Sequence, residues 1–536
     1  MYRLLLAPLS ILALLPLGFA QDSFAQDSFD IIITGGRIID GSGNPWYEAD
    51  VGIMGEHIIR IGDLSAAVAT RTIDATGLTV TPGFIDPHTH ALPGIFEVPN
   101  AESSLLQGVT TLTDGNDGSS PFPVDEHYAA IAAKKISPNW AVFVGQGTIR
   151  EAVIGKEDRK ATASEMIQMK QMVRAAMEQG ALGISTGLFY VPGSFTPTEE
   201  IIELSKVAAE YDGIYISHMR EEASQIVDSV TETIRIGIEA DIPVQITHHK
   251  VIGAQNWGLS KETLRLVDEA RAKDIDVTID QYPYTASQTS ITALIPQWAQ
   301  EGGRQQLLAR INHPETEAVV KAAVIDKILF DRGGGHPKNV VISRSWDTAM
   351  EGKSLADLVI EKGLEPTPAH AADVVFDIIR GGEAFAVYHA IGPEDVDRIM
   401  QHPASAIGSD GPVGVFGEGA PHPRQYGTFA RVLGYYVRER NVISLEEAVR
   451  KMSSASALRL GIHDRGLLGP GYFADIAIFD ANTVIDKASF ADPHQYAIGM
   501  QYVLVNGEIV VEDGSHTGRR PGKILYGPGY AAQGAP

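Results

Sequence analysis

Cysteine is absent from all 536 residues of the chain. Disulfide bonds and thiolate metal ligands are therefore excluded, so any metal site has to be built from His, Asp, Glu or a modified Lys. An excess of positive charge is also absent, because the formal net charge is −24. Since nucleic-acid phosphates are bound by basic surfaces, this charge argues against a nucleic-acid partner.

Long apolar runs are absent as well, except near the start of the chain. There, one arginine precedes an apolar stretch from Leu4 to Leu17, which is followed by the small-x-small sequence Gly18-Phe19-Ala20. This order predicts a signal peptide over residues 1–20, cleaved after Ala20 or alternatively after Ala25. We therefore expect a secreted or periplasmic protein with no stable membrane insertion after signal cleavage, and a disordered spacer over residues 21–29.

The two ends of the chain share an alternating apolar pattern with frequent glycine turns. Residues 30–80 and 464–530 are each too short to bury a core alone, so we expect them to form one small β-sandwich together. Between them, residues 81–463 alternate strands with helices, which indicates a parallel sheet. An overlong gap late in this region predicts an insertion at about 287–337 that acts as a lid.

His88 and His90 follow an apolar run that a Pro-Gly turn introduces. Residues i and i+2 of a strand point to the same face, so both imidazoles can reach one metal ion. The alternative is a pair of surface histidines on an edge strand.

Two later strands each end in a histidine. Apolar runs stop at His218 and, 30 residues further, at His248, which is the length of one βα repeat. A third run ends at Asp410 before a glycine. Barrels of the (β/α)8 type build their active sites at the carboxyl ends of their strands. Either histidine alone suits a structural role, but together with His88 and His90 they predict a metal centre in an α/β fold, a (β/α)8 TIM-like barrel.

The arrangement of these motifs resembles that of the amidohydrolase superfamily, and their residue sequences resemble those of its D-aminoacylase (N-acyl-D-amino-acid deacylase) branch. The resemblance covers nearly everything after the leader. It is carried by PGFIDPHTH at 82–90, QGVTTLTDGNDG at 107–118, GALGISTGLFYVPG at 180–193, ITHHKVIGAQNWG at 246–258, DQYPYTAS at 280–287, GSDG at 408–411, HPRQYGTFARVLG at 422–434 and DRGLLGPGYFADIAIFD at 464–480.

The resemblance implies metal-dependent hydrolysis of the amide bond of a small-molecule N-acyl-D-amino acid, which yields a D-amino acid and a carboxylate. It implies Zn²⁺ as the cofactor, with one or two divalent ions per chain. The ligands that it implies are His88, His90, His218, His248 and Asp410.

Asp117 marks a departure from the pattern of the family, whose corresponding turn carries a cysteine ligand. Here the turn reads Gly115-Asn116-Asp117-Gly118, and the fourth strand, at 183–187, offers no Lys or Glu as a bridge. Asp117 is therefore predicted to replace the cysteine as an oxygen ligand that bridges two ions or holds one ion more weakly. The alternative is a plain turn aspartate.

Asp410 is the predicted general base, which takes a proton from water and passes it to the leaving amine. Similarity to the family suggests that Lys250, Tyr282 and Arg424 hold the α-carboxylate of the substrate, with ordinary surface pairing as the alternative. Two other functions remain open. One is a related amidohydrolase that acts on dipeptides or cyclic amides, and the other is a non-catalytic exported relic that binds a metal or a solute.

Overall fold

The structure, a computed structural model, describes residues 28–530. The leader predicted over residues 1–20 lies outside the described residues, as does most of the expected spacer. Ser28 and Phe29, which were expected to end that spacer, already belong to the first strand. None of the described helices combines the length and the apolar character that a membrane span requires.

The strands fall into four groups along the chain. The first group is β1 Ser28–Ile38, β2 Tyr47–Met54, β3 His57–Gly62, β4 Val68–Asp74 and β5 Thr79–Pro82. The second group is β6 Phe84–Asp86, β7 Thr89–His90, β8 Val109–Asp114, β9 Asn139–Val142, β10 Val144–Gly145, β11 Gly183–Gly187, β12 Ile214–His218, β13 Val244–Ile246 and β14 Val277–Gln281. The third group is β15 Ser287–Ser290, β16 Val340–Ser345 and β17 Ala384–Tyr388. The rest are β18 Ser405–Ile407, β19 Gly411–Pro412, β20 Ile476–Phe479, β21 Met500–Val505, β22 Glu508–Glu512 and β23 Ser515–His516.

The α-helices alternate with the strands of the second group and cover the third group. They are α1 Glu102–Leu105, α2 Val124–Lys134, α3 Gln146–Val153, α4 Ala163–Glu178, α5 Thr198–Ala209, α6 Ile226–Ala240, α7 Ser260–Arg271, α8 Arg304–Ile311, α9 Pro314–Phe330, α10 Leu355–Glu361, α11 Pro368–Gly381, α12 Pro393–Gln401, α13 Arg424–Arg431, α14 Leu445–Met452 and α15 Ser454–Arg459. A π-helical turn, Val432–Glu439, continues α13.

Eight parallel strand positions form the barrel. Strands β6, β8 and β9 pair in parallel, and so do β10 to β14 with β18. Phe143 alone separates β9 from β10, and its N–H donates to Asp114 O of β8. The ring closes where the N–H of Asp410 donates to His88 O over 2.8 Å and β19 pairs with β7. The carboxyl ends of the first barrel strand, β6, and of the last, β18, therefore lie side by side.

The two chain ends form one continuous nine-stranded sheet. Strand β5 of the first group pairs with β20 of the last, so hydrogen bonds join the two halves. Buried side chains from both halves pack in one cluster, which includes Ile33, Val51, Ile476 and Leu504. The final segment was expected to belong to the sandwich, but it pairs with the barrel instead. The N–H of Trp140 on barrel strand β9 donates to Lys523 O, and the N–H of Leu525 donates to Trp140 O.

The inserted segment continues further than the sequence indicated. Strands β15, β17 and β16 form a separate antiparallel sheet, and α8 to α11 pack on it around a core of its own. That core includes Leu294, Val324, Phe376 and Tyr388. The expected end near residue 337 is therefore too early, because the last strand of this unit reaches Tyr388.

Candidate active site

The carboxyl ends of the barrel strands bring the predicted metal ligands together. His88 and His90 follow β6, Asp117 lies in the turn after β8, His218 ends β12, His248 comes two residues after β13, and Asp410 comes three residues after β18. All of them are buried or nearly so except His90, whose side chain is 40% exposed. His90 therefore faces the entrance of the site.

Asp117 lies at the centre of this group. Its Oδ1 lies 3.4 Å from His88 Nε2 and 3.5 Å from His248 Nε2. Its Oδ2 lies 3.4 Å from His90 Nε2 and 3.3 Å from His218 Nδ1. The donor atoms converge in two sets that share Asp117: His88, His90, Asp117 and Asp410, and Asp117, His218 and His248.

Unpaired buried atoms show that these residues suit a divalent cation. His88 Nε2 and Asp117 Oδ1, which lie 3.4 Å apart where the ligands converge, are buried without a hydrogen-bond partner among residues 28–530. Buried polar atoms are almost always paired, so these converging unpaired atoms require an explanation. Neutral imidazoles and carboxylates at barrel strand ends are the nitrogen and oxygen ligands that zinc accepts.

Backbone geometry marks the same residues. Asp117, His248 and Asp410 have φ angles of 54°, 37° and 51°. These angles lie in the left-handed region, which residues other than glycine rarely adopt. Such conformations cost about 1–3 kcal/mol each and persist where the surrounding structure enforces them. Here the strain aims all three side chains into the convergent group.

Barrel strand β11, which has neither lysine nor glutamate, supports the turn that contains Asp117. The Ser185 hydroxyl donates to Gly115 O over 2.5 Å and accepts the N–H of Gly118 at 3.2 Å. These two bonds hold both sides of the turn, so the position of Asp117 is fixed by a neighbouring strand.

Two further buried carboxylates hold the backbone of the ligands. Asp86 accepts the N–H groups of His88 and Ser409, at 3.2 and 2.9 Å, and thereby connects the ends of β6 and β18. Asp280 accepts the N–H of His248 at 2.7 Å. Burial raises the pKa of Asp86 to about 7 and that of Asp280 to about 6. Neither residue was predicted from the sequence to act at the site.

Asp410 faces the histidines with one oxygen and an arginine with the other. Its Oδ1 lies 3.1 Å from His90 Nε2, and its Oδ2 accepts from Arg424 Nη1 at 2.6 Å. Burial alone would raise the pKa of Asp410, but Arg424 and the histidines outweigh burial and hold that pKa well below its usual value. Asp410 is therefore ionised.

The three predicted substrate-binding residues lie next to one another beside the ligands. Tyr282 has the Arg424 guanidinium 4.7 Å and the Lys250 ammonium 5.7 Å from its ring centre, and its buried hydroxyl has no partner among the described residues. Lys250 and Arg424 line a cavity of about 1080 Å³, together with His90, Asp117 and Asp410. Tyr282 is not part of that cavity wall.

Glu222 and Arg332 also lie at the site, and neither was predicted from the sequence. The Lys250 ammonium donates to Glu222 Oε1 over 2.5 Å, and Arg332 Nη2 donates to Glu222 Oε2 over 3.2 Å. A glutamate four residues after the strand-terminal His218 was the only available signal.

Comparison with known proteins agrees with this geometry. A model of the amidohydrolase family matches residues 71–511. D-Aminoacylase of Alcaligenes xylosoxydans xylosoxydans is 37% identical over 520 residues, which cover 93% of this chain and 97% of that protein. N-acyl-D-glutamate deacylase of the same organism is 36% identical over 522 residues, with 93% and 97% coverage.

A solved structure extends the likeness to three dimensions. N-acyl-D-glutamate deacylase from Bordetella bronchiseptica, complexed with zinc and a phosphonate mimic of the tetrahedral intermediate, superposes with a TM-score of 0.79. It is 34% identical, and the match covers 93% of this chain and 100% of that one. The chain therefore belongs to the amidohydrolase family, in the branch of the D-aminoacylases and related N-acyl-D-amino-acid deacylases.

Proposed function

We propose that this protein is a zinc-dependent hydrolase that cleaves the amide bond of N-acyl-D-amino acids and releases a D-amino acid and a carboxylate. The observation that carries the proposal is the convergence of four histidines and two carboxylates beside one cavity, whose wall includes all of them except the fully buried His88. The similarity to D-aminoacylase and to a zinc-containing D-glutamate deacylase supports the substrate class and the metal.

The two sets of donors that share Asp117 suit one or two zinc ions. His88, His90 and Asp410 would hold an ion on one side of Asp117, and His218 and His248 would hold an ion on the other. A zinc ion held by these residues would supply a coordinated water whose pKa is lowered toward neutrality and would polarise the scissile carbonyl. Asp117 provides the negative charge between the two sides.

Asp410 carries the proton in this mechanism. Because Arg424 and the histidines keep it ionised, Oδ1 is available to accept a proton from the attacking water. The same oxygen then gives that proton to the leaving nitrogen as the amide bond breaks. Lys250 and Arg424, which line the cavity, bind and orient the α-carboxylate of the substrate, and Tyr282 contributes from behind the cavity wall through its contact with the Arg424 guanidinium.

We also propose that the protein is exported, on the basis of the charged, apolar and small-residue order of residues 1–20. Cell fractionation and N-terminal sequencing of the mature protein test this. An intact Met1 on soluble cytoplasmic protein would contradict it.

The activity is tested with purified protein of known zinc content. We expect release of free amine from N-acetyl-D-amino acids, including the D-glutamate derivative, and little release from the L-enantiomers. Dipeptides and a hydantoin serve as comparison substrates, because preferred hydrolysis of either would favour the alternative amidohydrolase activities. Zinc-loaded protein that hydrolyses none of these compounds would contradict the catalytic proposal and favour a binding role.

A further inference from the structure

His218 and His248 have the same arrangement around their rings. His218 turns Nδ1 toward Asp117 and Nε2 toward Glu222 Oε2, which is 3.7 Å away. His248 turns Nε2 toward Asp117 and Nδ1 toward Glu222 Oε1, which is 3.3 Å away. Among residues 28–530, no other carboxylate lies within 4 Å of either outer nitrogen. Each imidazole therefore lies between one ligand carboxylate and one carboxylate behind it.

A histidine that ligates a metal through one nitrogen needs its proton on the other. A carboxylate behind the ring accepts that proton, fixes the tautomer and orients the ring. His248 Nδ1 also lies 2.8 Å from the Lys250 ammonium. With Nδ1 protonated, that nitrogen donates to Glu222, and Lys250 donates instead to Glu222 and to His248 O at 3.0 Å. His248 Nδ1 and the Lys250 ammonium then each have an acceptor.

Glu222 is itself held from two directions. It is 2% exposed, with Lys250 on one oxygen and Arg332 on the other. Arg332 comes from the inserted segment, just after α9, and its guanidinium packs 4.2 Å from the ring centre of Phe189 on the barrel. The inserted segment thus supplies a cation that reaches the back of the His218 and His248 pair.

We propose that Glu222 is a positioning residue that orients both His218 and His248 for metal binding, and that Arg332 of the inserted segment holds Glu222 in place. This inference rests on the metal centre of the proposed function. It assigns the inserted segment a part in forming the metal site, in addition to lining the cavity.

The test compares zinc affinity across variants by competition with a chelator. Glu222→Gln removes the proton acceptor and should weaken zinc binding about 10–100-fold, as the loss of groups behind metal ligands does. Glu222→Asp keeps the charge and should bind zinc more tightly than Glu222→Gln. Arg332→Gln leaves the carboxylate in place and should cause a smaller loss. These two variants keep the test decisive if Glu222→Gln does not fold.

Two controls separate orientation from other effects. Glu222→Gln with Arg332→Gln restores the local net charge, so affinity should stay low if orientation is what matters. Glu200 is a buried carboxylate away from the ligands that pairs with Arg150 and accepts the N–H of Ala161. Glu200→Gln should therefore leave zinc affinity unchanged. Absorption spectra of cobalt-substituted protein should change for the Glu222 variants and not for Glu200→Gln.

The outcomes are distinguishable. Wild-type zinc affinity and cobalt spectra in Glu222→Gln, or recovery of both in the double variant, would overturn the role of Glu222 and leave the metal centre standing. Wild-type protein that binds no zinc would overturn the metal centre and this inference with it.

Discussion

Two clusters of buried polar side chains in this protein differ in their hydrogen bonding. The metal-site cluster consists of the four histidines, Asp117 and Asp410, and several of its buried atoms lack partners among the described residues. The junction cluster consists of Asn139, Arg465, Asp475 and Asn506, where the barrel meets the nine-stranded sheet.

The junction cluster is almost completely paired. Asp475 accepts from Asn139 Nδ2 at 2.9 Å, from the N–H of Asn506 at 2.7 Å and from Arg465. Asn506 in turn donates to Asn139 Oδ1 at 2.8 Å. A satisfied network stabilises a fold, whereas converging unpaired donors serve a ligand. The contrast predicts that changes in the first cluster affect chemistry and changes in the second affect stability.

The largest effect is expected for Asp410→Asn. The amide keeps the shape and one oxygen of the side chain but cannot accept the proton, so kcat should fall about 10²–10⁴-fold. Zinc content should stay close to that of the wild type, while some stability should be lost because the buried Arg424 guanidinium loses its carboxylate partner. Steady-state kinetics on zinc-loaded protein measure this. Turnover within tenfold of wild type at equal zinc content would remove Asp410 as the base.

Asp117 is the next test, because both donor sets contain it. Asp117→Ala should lower zinc retention and activity together, and more strongly than either histidine variant, His218→Ala or His248→Ala. Asp117→Cys should recover part of the loss, since thiolate is a strong zinc ligand. Zinc per chain and hydrolysis rates are compared across these variants. Equal zinc and equal rates in wild type and Asp117→Ala would leave Asp117 as a plain turn residue.

In the junction cluster, Asp475→Asn should act on stability alone. It leaves the Arg465 guanidinium buried without its carboxylate, which costs about 3–5 kcal/mol when one partner of a buried pair is removed. We expect a clearly lower unfolding midpoint in urea, with zinc content and kcat of the remaining folded protein unchanged. A loss of zinc in this variant would show that the two clusters are not independent.

Site residues whose positions follow from their place on a strand could be predicted from the sequence. The histidines end strands or follow them, and parallel strands share one carboxyl edge, so their meeting follows from spacing alone. Asp117 was predicted because its turn resembles a known motif. The spacing of Met169, Val173 and Met177 likewise indicates a helix from the local sequence, and these three side chains share the buried face of α4.

Residues that depend on the path of a loop or on the docking of a distant segment could not be predicted. Glu221 and Glu222 are neighbours, and only the loop after β12 decides which of them turns toward the histidines. Arg332 lies 110 residues after Glu222 in the chain. Strands β16 and β17 have ordinary strand patterns, which do not reveal that they join a separate sheet.

The smallest effect concerns Lys451, a buried charge at the opposite end of the barrel from Asp410. Its ammonium donates to His402 O over 2.5 Å and to Ser405 O over 2.9 Å, at the start of β18. Burial lowers its pKa to about 8, although Glu447 partly opposes this.

Because the unfolded chain keeps the Lys451 proton up to about pH 10.4, it binds more protons than the folded protein between pH 8 and that value. Stability should therefore rise with pH in this window, by at most about 1.4 kcal/mol per pH unit. Lys451→Met should be less stable overall, since two carbonyls lose their donor, but it should lack this rise. Unfolding midpoints of both proteins are measured from pH 7.5 to 10.5. The difference between the two curves isolates Lys451, because the contributions of the other titrating groups cancel. Parallel curves would show that Lys451 keeps its ordinary pKa in the fold, and an altered zinc content in Lys451→Met would contradict the separation of the two barrel ends.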